Sequence, residues 1–185
     1  MPTVAVGERS VDLGAIFADE AVFRRWYDEQ APRVYAYLHG RCGGDAALAE
    51  ELTQQSFLQA IRGHRTFDGR SDQTTWLIAI ARNRLIDHLR RLERDERRHL
   101  RLVVREIQTG GSEREWADHD VRTDVVAALR QLPAAQRAAL ILHHVDGLPV
   151  RDVAKALGRS ATAVESLLAR GRERFRTVFR GDVDV

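Results

Sequence analysis

A chain of 185 residues can fold as one ordinary domain or two small ones, and its hydrophobic content of 44% excludes general disorder. The formal net charge is only +2, but arginines are concentrated in residues 82–101 and again in residues 159–180. Two separate basic stretches predict two contacts with a polyanion such as nucleic acid. The single cysteine, Cys42, excludes an internal disulfide and a four-thiolate metal site within one chain.

Long stretches of the chain carry apolar residues at helical spacing, and strand signals are almost absent. We therefore expect an all-α protein made of two small helical domains joined by a flexible linker. The expected layout is a weakly structured lead (residues 1–20), a helical block (21–92), the linker (93–122) and a second helical block (123–181). The N-terminus has no signal-peptide pattern and no apolar stretch reaches membrane-spanning length, so we expect a cytoplasmic protein with no membrane insertion.

The first informative helix is predicted over residues 45–61, which include three acidic residues and no basic residue. Its inward face is predicted to hold Ala49, Leu52, Ser56, Ala60 and Ile61. The side chains of Gln54, Gln55 and Leu58 are predicted to lie outward with the acids. An acidic, amide-rich face on a chain with basic stretches elsewhere indicates a protein partner. A merely solvated helix face is the alternative.

The second informative helix is predicted from Thr74 to about Arg94. One apolar face is formed by Ile78, Ala81, Leu85, Leu89 and Leu92. Another face holds an aromatic ring, an amide and several charges: Trp76, Ile80, Asn83, Asp87, Arg90, Arg91 and Arg94. Single-stranded DNA is bound by such a set, because bases stack on rings, amides read base edges and guanidinium groups follow the backbone. The alternative is that Trp76 and Ile80 belong to the core and the arginines are solvated.

The clearest pattern lies near the C-terminus, where two short amphipathic helices are joined by residues 157–160. Gly158 can take the left-handed conformation that ends a helix, and Ser160 is a good N-cap for the next one. The second helix has one apolar face, formed by Val164, Leu167, Leu168, Gly171, Phe175, Val178 and Phe179. Its opposite face is polar and flanked by arginines. This arrangement predicts a DNA-binding helix-turn-helix, with an ordinary helical hairpin as the alternative.

Together these segments resemble a known family. Residues 23–92 include Ala49-Glu50-Glu51-Leu52-Thr53-Gln54 with Phe57, then Trp76-Leu77, Ile80-Ala81-Arg82-Asn83, Asp87 and Leu89-Arg90-Arg91. They resemble domain 2 of the extracytoplasmic-function (ECF) sigma factors, and residues 129–178 resemble domain 4 of the same family. The resemblance covers about two-thirds of the chain, in the right order and with a linker between the two parts.

The resemblance implies an alternative sigma factor that binds RNA polymerase core enzyme, recognises promoter DNA and supports promoter melting. Docking on the clamp helices of the largest subunit would use Glu50, Glu51, Gln54, Gln55 and Leu58. Binding of the −10 element would use Arg65, Phe67, Asp68, Arg70, Ser71, Trp76, Asn83, Arg84, Asp87, Arg90 and Arg91. Binding of the −35 element would use Arg159, Ser160, Thr162, Ala163, Glu165, Ser166, Arg170 and Arg172. Domain 4 would also touch the flap of the second-largest subunit, and an anti-sigma factor is a further implied partner.

The chain departs from the family pattern in both domains. Gln55 and Ser56 stand where the family usually has an acid and an aliphatic residue, which leaves one charge fewer on the docking face. Residues 163–168 carry Glu165 where many relatives have a basic residue. Residues 95–122 could extend to roughly 90 Å, which exceeds the roughly 55 Å between two promoter elements one and a half helical turns apart.

Two other classes of function make different predictions for this chain. A stand-alone helix-turn-helix regulator, with the N-terminal block as a dimer or ligand domain, would bind duplex DNA tightly by itself. An enzyme is disfavoured because the histidines lack metal-ligand spacing, and His39 with Cys42 supplies only two ligands. Asp87 and His88 form a neighbouring pair rather than a triad, and no glycine-rich phosphate loop is found. We expect no catalysis, cofactor or metal.

Overall fold

The computed structural model describes residues 13–103 and 121–181, which fold into helices joined by short turns. The helices are α1 (Leu13–Ala18), α2 (Glu20–Arg41), α3 (Ala46–Gly63), α4 (Gln73–Val103), α5 (Val121–Arg130), α6 (Ala134–Leu140), α7 (Val150–Leu157) and α8 (Ala161–Gly181). A 3-10 turn at His64–Thr66 follows α3, and a π-helical turn at Ile141–Val145 continues α6. The described residues contain no strand, so the predicted all-α class is confirmed.

The N-terminal unit consists of α1–α4. Aspartates begin its helices: a carboxylate oxygen of Asp19 accepts hydrogen bonds from the backbone N–H of Ala21 and Val22, and that of Asp45 accepts from Leu48. Helices α2, α3 and α4 pack on one another around an apolar core that includes Trp26, Val34, Leu38, Leu52, Phe57, Leu77, Ala81 and Leu85. The burial of this apolar stripe on each helix is what holds the unit together.

Helix α1 lies in the segment that the sequence predicts to be weakly structured. Leu13 and Ile16 are buried, and the ring of Phe17 meets the indole of Trp26 edge to face with centroids 5.3 Å apart. This aromatic and apolar packing stabilises a helix that is too short to form alone. Residues 1–12 of the predicted lead lie outside the described residues.

Helix α3 buries the residues that its periodicity selects, with one exception. Ala49, Leu52, Ser56 and Ala60 are buried as predicted, but Ile61 is 37% exposed. The prediction for Ile61 is wrong because nine residues at about 100° per residue place it opposite Leu52 on the helix. Ile61 therefore lies on the outer face of α3 together with Leu58.

Helix α4 is longer than predicted. It continues to Val103, whereas the sequence places its end near Arg94 and the start of the linker at residue 93. The added turns carry an i,i+4 ion pair between Glu93 and Arg97, and they pack against the second half of the chain. Residues 104–120 of the predicted linker lie outside the described residues.

The C-terminal unit consists of α5–α8 and contains the predicted helix-turn-helix. Gly158 ends α7 with φ 64° and ψ 40°, the left-handed conformation expected of it. The hydroxyl of Ser160 accepts a hydrogen bond from the backbone N–H of Ala163 at 3.2 Å, which confirms Ser160 as the cap of α8. Val164, Leu167, Leu168 and Gly171 are buried, so α8 packs on the unit through its predicted apolar face.

The two units are in contact. Helix α4 packs along α6 and touches α7, and the buried apolar residues of both units form one continuous cluster. The second half of α4 therefore belongs to the interface between the units as well as to the N-terminal unit. None of the described helices has both the length and the apolar character of a membrane span.

Candidate docking and nucleic-acid interfaces

The outer face of α3 carries all the residues predicted to dock on polymerase. Glu50, Glu51, Gln54 and Leu58 are exposed, with Leu58 at 53%, and the amide of half-buried Gln55 donates to the carboxylate of Glu51 at 2.7 Å. A groove of about 370 Å³ lies between α2 and α3. It is lined by Tyr27, Asp28, Ala31, Pro32, Tyr35, Glu50, Thr53 and Gln54. An apolar groove with an acidic rim and an exposed leucine beside it is a suitable docking surface for a protein.

The unusual Ser56 does not alter this outer face. It is fully buried on the inner side of α3, and its hydroxyl donates to the backbone carbonyl of Leu52 at 2.6 Å. Because this local bond satisfies the hydroxyl, a serine is accommodated where relatives usually have an aliphatic side chain.

The loop between α3 and α4 presents several of the predicted −10 residues. Arg65, Asp68, Arg70 and Ser71 are exposed, and Arg70 forms a 3.2 Å ion pair with Asp68 that is open to solvent. Half-buried Phe67 packs against Trp76 of α4, with ring centroids 5.4 Å apart. An exposed ion pair contributes little to stability, so the arginine can exchange its partner for a DNA phosphate at small cost.

The start of α4, just after this loop, is held by polar contacts that the sequence pattern did not reveal. Asp72 caps the helix, accepting the backbone N–H of Thr75 at 3.0 Å, and the Thr75 hydrogen bonds hold the pKa of Asp72 below its usual range. The indole N–H of Trp26 donates to Gln73, and the hydroxyl of Thr74 donates to the amide oxygen of buried Gln30 at 2.7 Å. These bonds fix the position of Trp76 and the loop relative to α2.

Farther along α4, the predicted −10 residues differ in their availability. Asn83 and Arg91 are exposed. Asp87 lies between two arginines, 3.8 Å from Arg84 and 3.9 Å from Arg90. Arg90 also donates to the backbone carbonyl of Lys155 in the C-terminal unit, at 3.4 Å. The structure thus leaves Asn83 and Arg91 open to solvent and turns Arg90 towards the other unit.

The predicted −35 surface of α8 is largely exposed. Thr162, Glu165, Ser166, Arg170 and Arg172 all face solvent, and Ala163 is half-buried. The guanidinium of Arg170 donates to the backbone carbonyl of Ser166 at 3.2 Å, which holds it along the helix. Arg159 differs from the rest, because its guanidinium is paired with the carboxylate of Glu93 on α4.

Two further acids bind across the units, and no local pattern in the sequence predicts either contact. Asp146 follows the π-helical turn, and its side chain is only 3% exposed. It accepts from the guanidinium of Arg41 at 2.6 Å and from the hydroxyl of Tyr37 at 2.9 Å. Burial, and then the Asp146 charge, raise the pKa of Tyr37 well above its usual range. On α4, both carboxylate oxygens of Glu96 accept the backbone N–H of Ala134 at the start of α6.

A cavity of about 410 Å³ lies beside these contacts. It is lined by Arg41, Cys42, Asp45, Leu48, Leu85, His88, Leu89 and Leu92 of the N-terminal unit and by Arg130 and Arg137 of the C-terminal unit. Burial lowers the pKa of the Arg137 guanidinium, whereas the charge of Glu96 on α4 acts in the opposite direction and outweighs the smaller repulsion from Arg130. Burial and the nearby Asp45 charge raise the pKa of the Cys42 thiol to about 11. The units thus meet with incomplete packing.

Comparison with protein families separates the chain at the same place as the structure. Residues 26–95 match Sigma-70 region 2, which corresponds to α2–α4 with the loop before α4. Residues 122–175 match Sigma-70 region 4, which corresponds to the C-terminal unit with its helix-turn-helix.

Individual relatives agree with the family matches. The ECF RNA polymerase sigma factor SigX of Bacillus subtilis is 32% identical over 158 residues, covering 82% of this chain and 80% of that one. SigC of Mycobacterium tuberculosis is 34% identical over 141 residues, 76% of this chain and 72% of that protein. BldN of Streptomyces coelicolor is 32% identical over 152 residues; the match takes in 78% of this chain but spans only 55% of BldN.

A solved structure shares the fold. It is the sigma factor RpoE of Bartonella quintana in complex with the anti-sigma factor NepR, with a TM-score of 0.51 and 23% identity over 88% of this chain and 98% of that one. Together, the two matched regions, their order and the relatives that cover most of both chains place this protein among the ECF RNA polymerase sigma factors.

Proposed function

We infer that this chain binds RNA polymerase core enzyme and directs it to promoters by reading the −10 element with its N-terminal unit and the −35 element with its C-terminal unit. The observation that carries this division of roles is the separation of surface types. The outer face of α3 is acidic with an exposed leucine, whereas the loop before α4 and the outer face of α8 are rich in arginine. Acidic faces do not bind DNA phosphates, so the α3 face is left for a protein partner.

At the −10 element the loop and the first turns of α4 would capture an unstacked base. The Phe67–Trp76 pair provides a ring surface, and Asn83 lies exposed about two turns beyond Trp76 along α4. Capture of a base already out of the stack offsets part of the few kcal/mol that unstacking costs. Chain-internal bonds to Gln73 and Thr74 hold this surface in place before DNA arrives.

At the −35 element α8 would enter the major groove with its N-terminal turns. Exposed Glu165 would accept a hydrogen bond from a cytosine amine, and exposed Arg170 and Arg172 would hold phosphates on either side. The glycine turn before α8 sets the angle between the two helices of the motif.

The partners of the proposed function follow from the same surfaces. The acidic face of α3 would dock on the clamp helices of the largest polymerase subunit, and the C-terminal unit would touch the flap of the second-largest subunit. An anti-sigma factor is a further proposed partner, because the similar RpoE structure is a complex with the anti-sigma factor NepR. The chain would act in the cytoplasm, where core polymerase is found, and no catalysis by the chain itself is expected.

Equilibrium binding to sigma-free bacterial core polymerase tests the proposal. The fluorescent label belongs at the C-terminus, because Cys42 is half-buried beside the contact between the units. Tight, saturable binding to core and weak binding of the free chain to duplex DNA are expected. No binding to core, together with tight duplex binding by the free chain, would instead support a stand-alone regulator.

Replacing both Arg170 and Arg172 with glutamine is expected to weaken binding of the holoenzyme to a −35 duplex and to reduce its salt dependence. Each lost phosphate contact reduces the magnitude of the negative slope of log K against log salt by about 0.9, so loss of both contacts should reduce it by about 1.8. Titrations at several salt concentrations measure the slope. An Arg151→Gln variant, changed on the exposed side of α7, is the control. An unchanged slope in the double variant would show that neither Arg170 nor Arg172 contacts a phosphate.

A further inference from the structure

Gln30 is an unusual residue in the core of the N-terminal unit. Three polar residues are buried in the part of the chain that the structure describes: Gln30, Thr53 and Ser56. The hydroxyls of Thr53 and Ser56 donate to backbone carbonyls one turn earlier in their own helix. Gln30 alone bonds to another helix, because its amide oxygen accepts the hydroxyl of Thr74 on α4 at 2.7 Å. An apolar side chain would fill this position without the cost of burying an amide, so packing alone does not account for Gln30.

The bond belongs to a polar junction between α2 and the first turn of α4. Trp26, Gln30 and Arg33 are spaced by four and three residues, so they lie on one face of α2. The indole N–H of Trp26 donates to Gln73, and the guanidinium of Arg33 donates to the Thr74 hydroxyl at 3.3 Å. Directional bonds from α2 therefore hold two consecutive residues at the start of α4.

The position of Thr74 on α4 connects this junction with the surface proposed to bind the −10 element. At about 100° per residue, Trp76 lies about 200° and Asn83 about 180° around the helix axis from Thr74. Both residues are therefore on the opposite side of α4 from the bond to Gln30. A rotation of α4 by about 20° would move a side chain at a radius of about 5–6 Å by roughly 2 Å. A misplacement of about 1 Å is enough to slow a step that depends on position by about 100-fold.

The loop before α4 depends on the same junction. In the described chain, residues 68–71 form their hydrogen bonds and ion pairs only with each other, between Asp68 and Arg70. The loop therefore takes its position from its two ends. Its C-terminal end is the start of α4, which the junction ties to α2 through Gln73 and Thr74.

We propose that Gln30 is a positioning residue for promoter melting. Through the Thr74 hydroxyl it sets the rotation of α4 about its axis, and thereby the placement of Trp76 and Asn83 against the unpaired −10 strand. Gln30 is only 4% exposed, so it acts through Thr74 and not by touching a base. The proposal rests on the proposed function for what Trp76 and Asn83 bind, whereas the setting of α4 is a property of the free chain.

The test compares holoenzymes that carry the full chain with Gln30→Met, Thr74→Val, both changes, or Thr74→Ser. Methionine keeps the length of glutamine and valine keeps the shape of threonine, but each removes one partner of the bond, whereas serine keeps the hydroxyl. Thr177→Val is the control, because the hydroxyl of exposed Thr177 donates only to the backbone of its own helix. Permanganate reactivity of unpaired thymines follows strand opening, on promoters selected with the wild-type holoenzyme.

Gln30→Met and Thr74→Val are each expected to slow strand opening by about tenfold, with affinity for core and for a −35 duplex changed by less than about twofold. Thr74→Ser should restore most of the opening rate. The double variant should melt at a higher temperature than Thr74→Val, because that single change leaves the buried Gln30 amide without its partner. Strand opening should nevertheless stay as slow in the double variant as in each single one, because all three lose the same bond.

Strand opening that recovers with the melting temperature in the double variant would show that Gln30 serves stability alone, and would overturn the proposal. A Thr74→Ser chain as slow as Thr74→Val, or equal slowing by Thr177→Val, would overturn it as well. Should Thr74→Val prove unfolded by circular dichroism, Gln30→Met and the double variant carry the comparison.

A measurement on the free chain separates this proposal from the proposed function. The indole N–H resonance of Trp76, identified by its loss in Trp76→Phe, reports the setting of α4 without polymerase. It should shift in Thr74→Val and return in Thr74→Ser, and an unchanged resonance would overturn the positioning role. A wild-type chain that neither binds core nor opens promoters would contradict the proposed function, and the resonance would then decide the setting of α4 by itself.

Discussion

A chain carrying Glu50→Lys and Glu51→Lys is expected to bind core polymerase at least about 100-fold more weakly than the wild type. Both carboxylates lie on the exposed face of α3 beside the groove between α2 and α3. Reversing their charge would place lysines against a polymerase surface that, in the proposed docking, receives acids. Such juxtaposition of like charges costs several kcal/mol. Folding should be retained, because neither side chain is buried and the change removes only the contact of Glu51 with Gln55.

Anisotropy titrations with core enzyme at two salt concentrations measure this loss. The matched control is Glu20→Lys with Glu29→Lys, which changes the net charge equally on the solvent face of α2. If the control loses as much affinity as the α3 variant, the effect is one of overall charge and the α3 face is not the docking site. Higher salt should reduce the difference between the variants, because exposed charges are screened.

Replacing Asn83 with alanine is expected to slow open-complex formation by about 10- to 100-fold while leaving core binding nearly unchanged. An amide that makes a bidentate contact with a base contributes about 1–3 kcal/mol of discrimination, and the proposed contact of Asn83 would form only once the DNA strands separate. Asn83 is exposed on α4, so its truncation should alter stability by less than about 0.5 kcal/mol.

Promoters for this measurement can be selected from a random library with the reconstituted holoenzyme. Permanganate reactivity of unpaired thymines then follows strand opening, and anisotropy follows core binding. Gln131→Ala, which truncates an exposed amide in the C-terminal unit, is the control. Equal losses of core binding and strand opening in the Asn83 variant would show that Asn83 serves the docked complex as a whole rather than the melted DNA.

Local signals in the sequence predict α3, the first part of α4 and the helix-turn-helix. Gly158 and Ser160 act within a few residues of themselves, through a left-handed turn and a cap, and both behave as their chemistry requires. The burial of Val164 and Leu167 follows from the 3.6-residue period in the same way. Such features depend only on residues that are close in the sequence, which is why they can be inferred without a structure.

Contacts between distant polar side chains could not be predicted, because periodicity carries no information about which surface residue meets which. Asp146 binds Tyr37 across a separation of 109 residues, and Glu96 binds the start of α6 across 38. For the same reason the sequence treats Arg159 and Arg90 as free to bind DNA, whereas the structure pairs both with the opposite unit. The sequence predicts that most of the docking and DNA-binding candidates lie at the surface, but whether each one is free to bind a partner depends on tertiary packing.

The length of α4 also determines how much chain connects the two units. With α4 helical to Val103 and α5 beginning at Val121, residues 104–120 connect the last helix of the N-terminal unit to the first helix of the C-terminal unit. At full extension that segment spans at most about 60 Å, whereas roughly 90 Å would be available if α4 ended near Arg94. If the two units read the two promoter elements as proposed, the length of α4 would therefore limit the range of promoter spacings that this protein can use. Deleting a few residues within 104–120 should narrow the range of promoter spacings that the protein can use, although neither DNA-reading surface is altered.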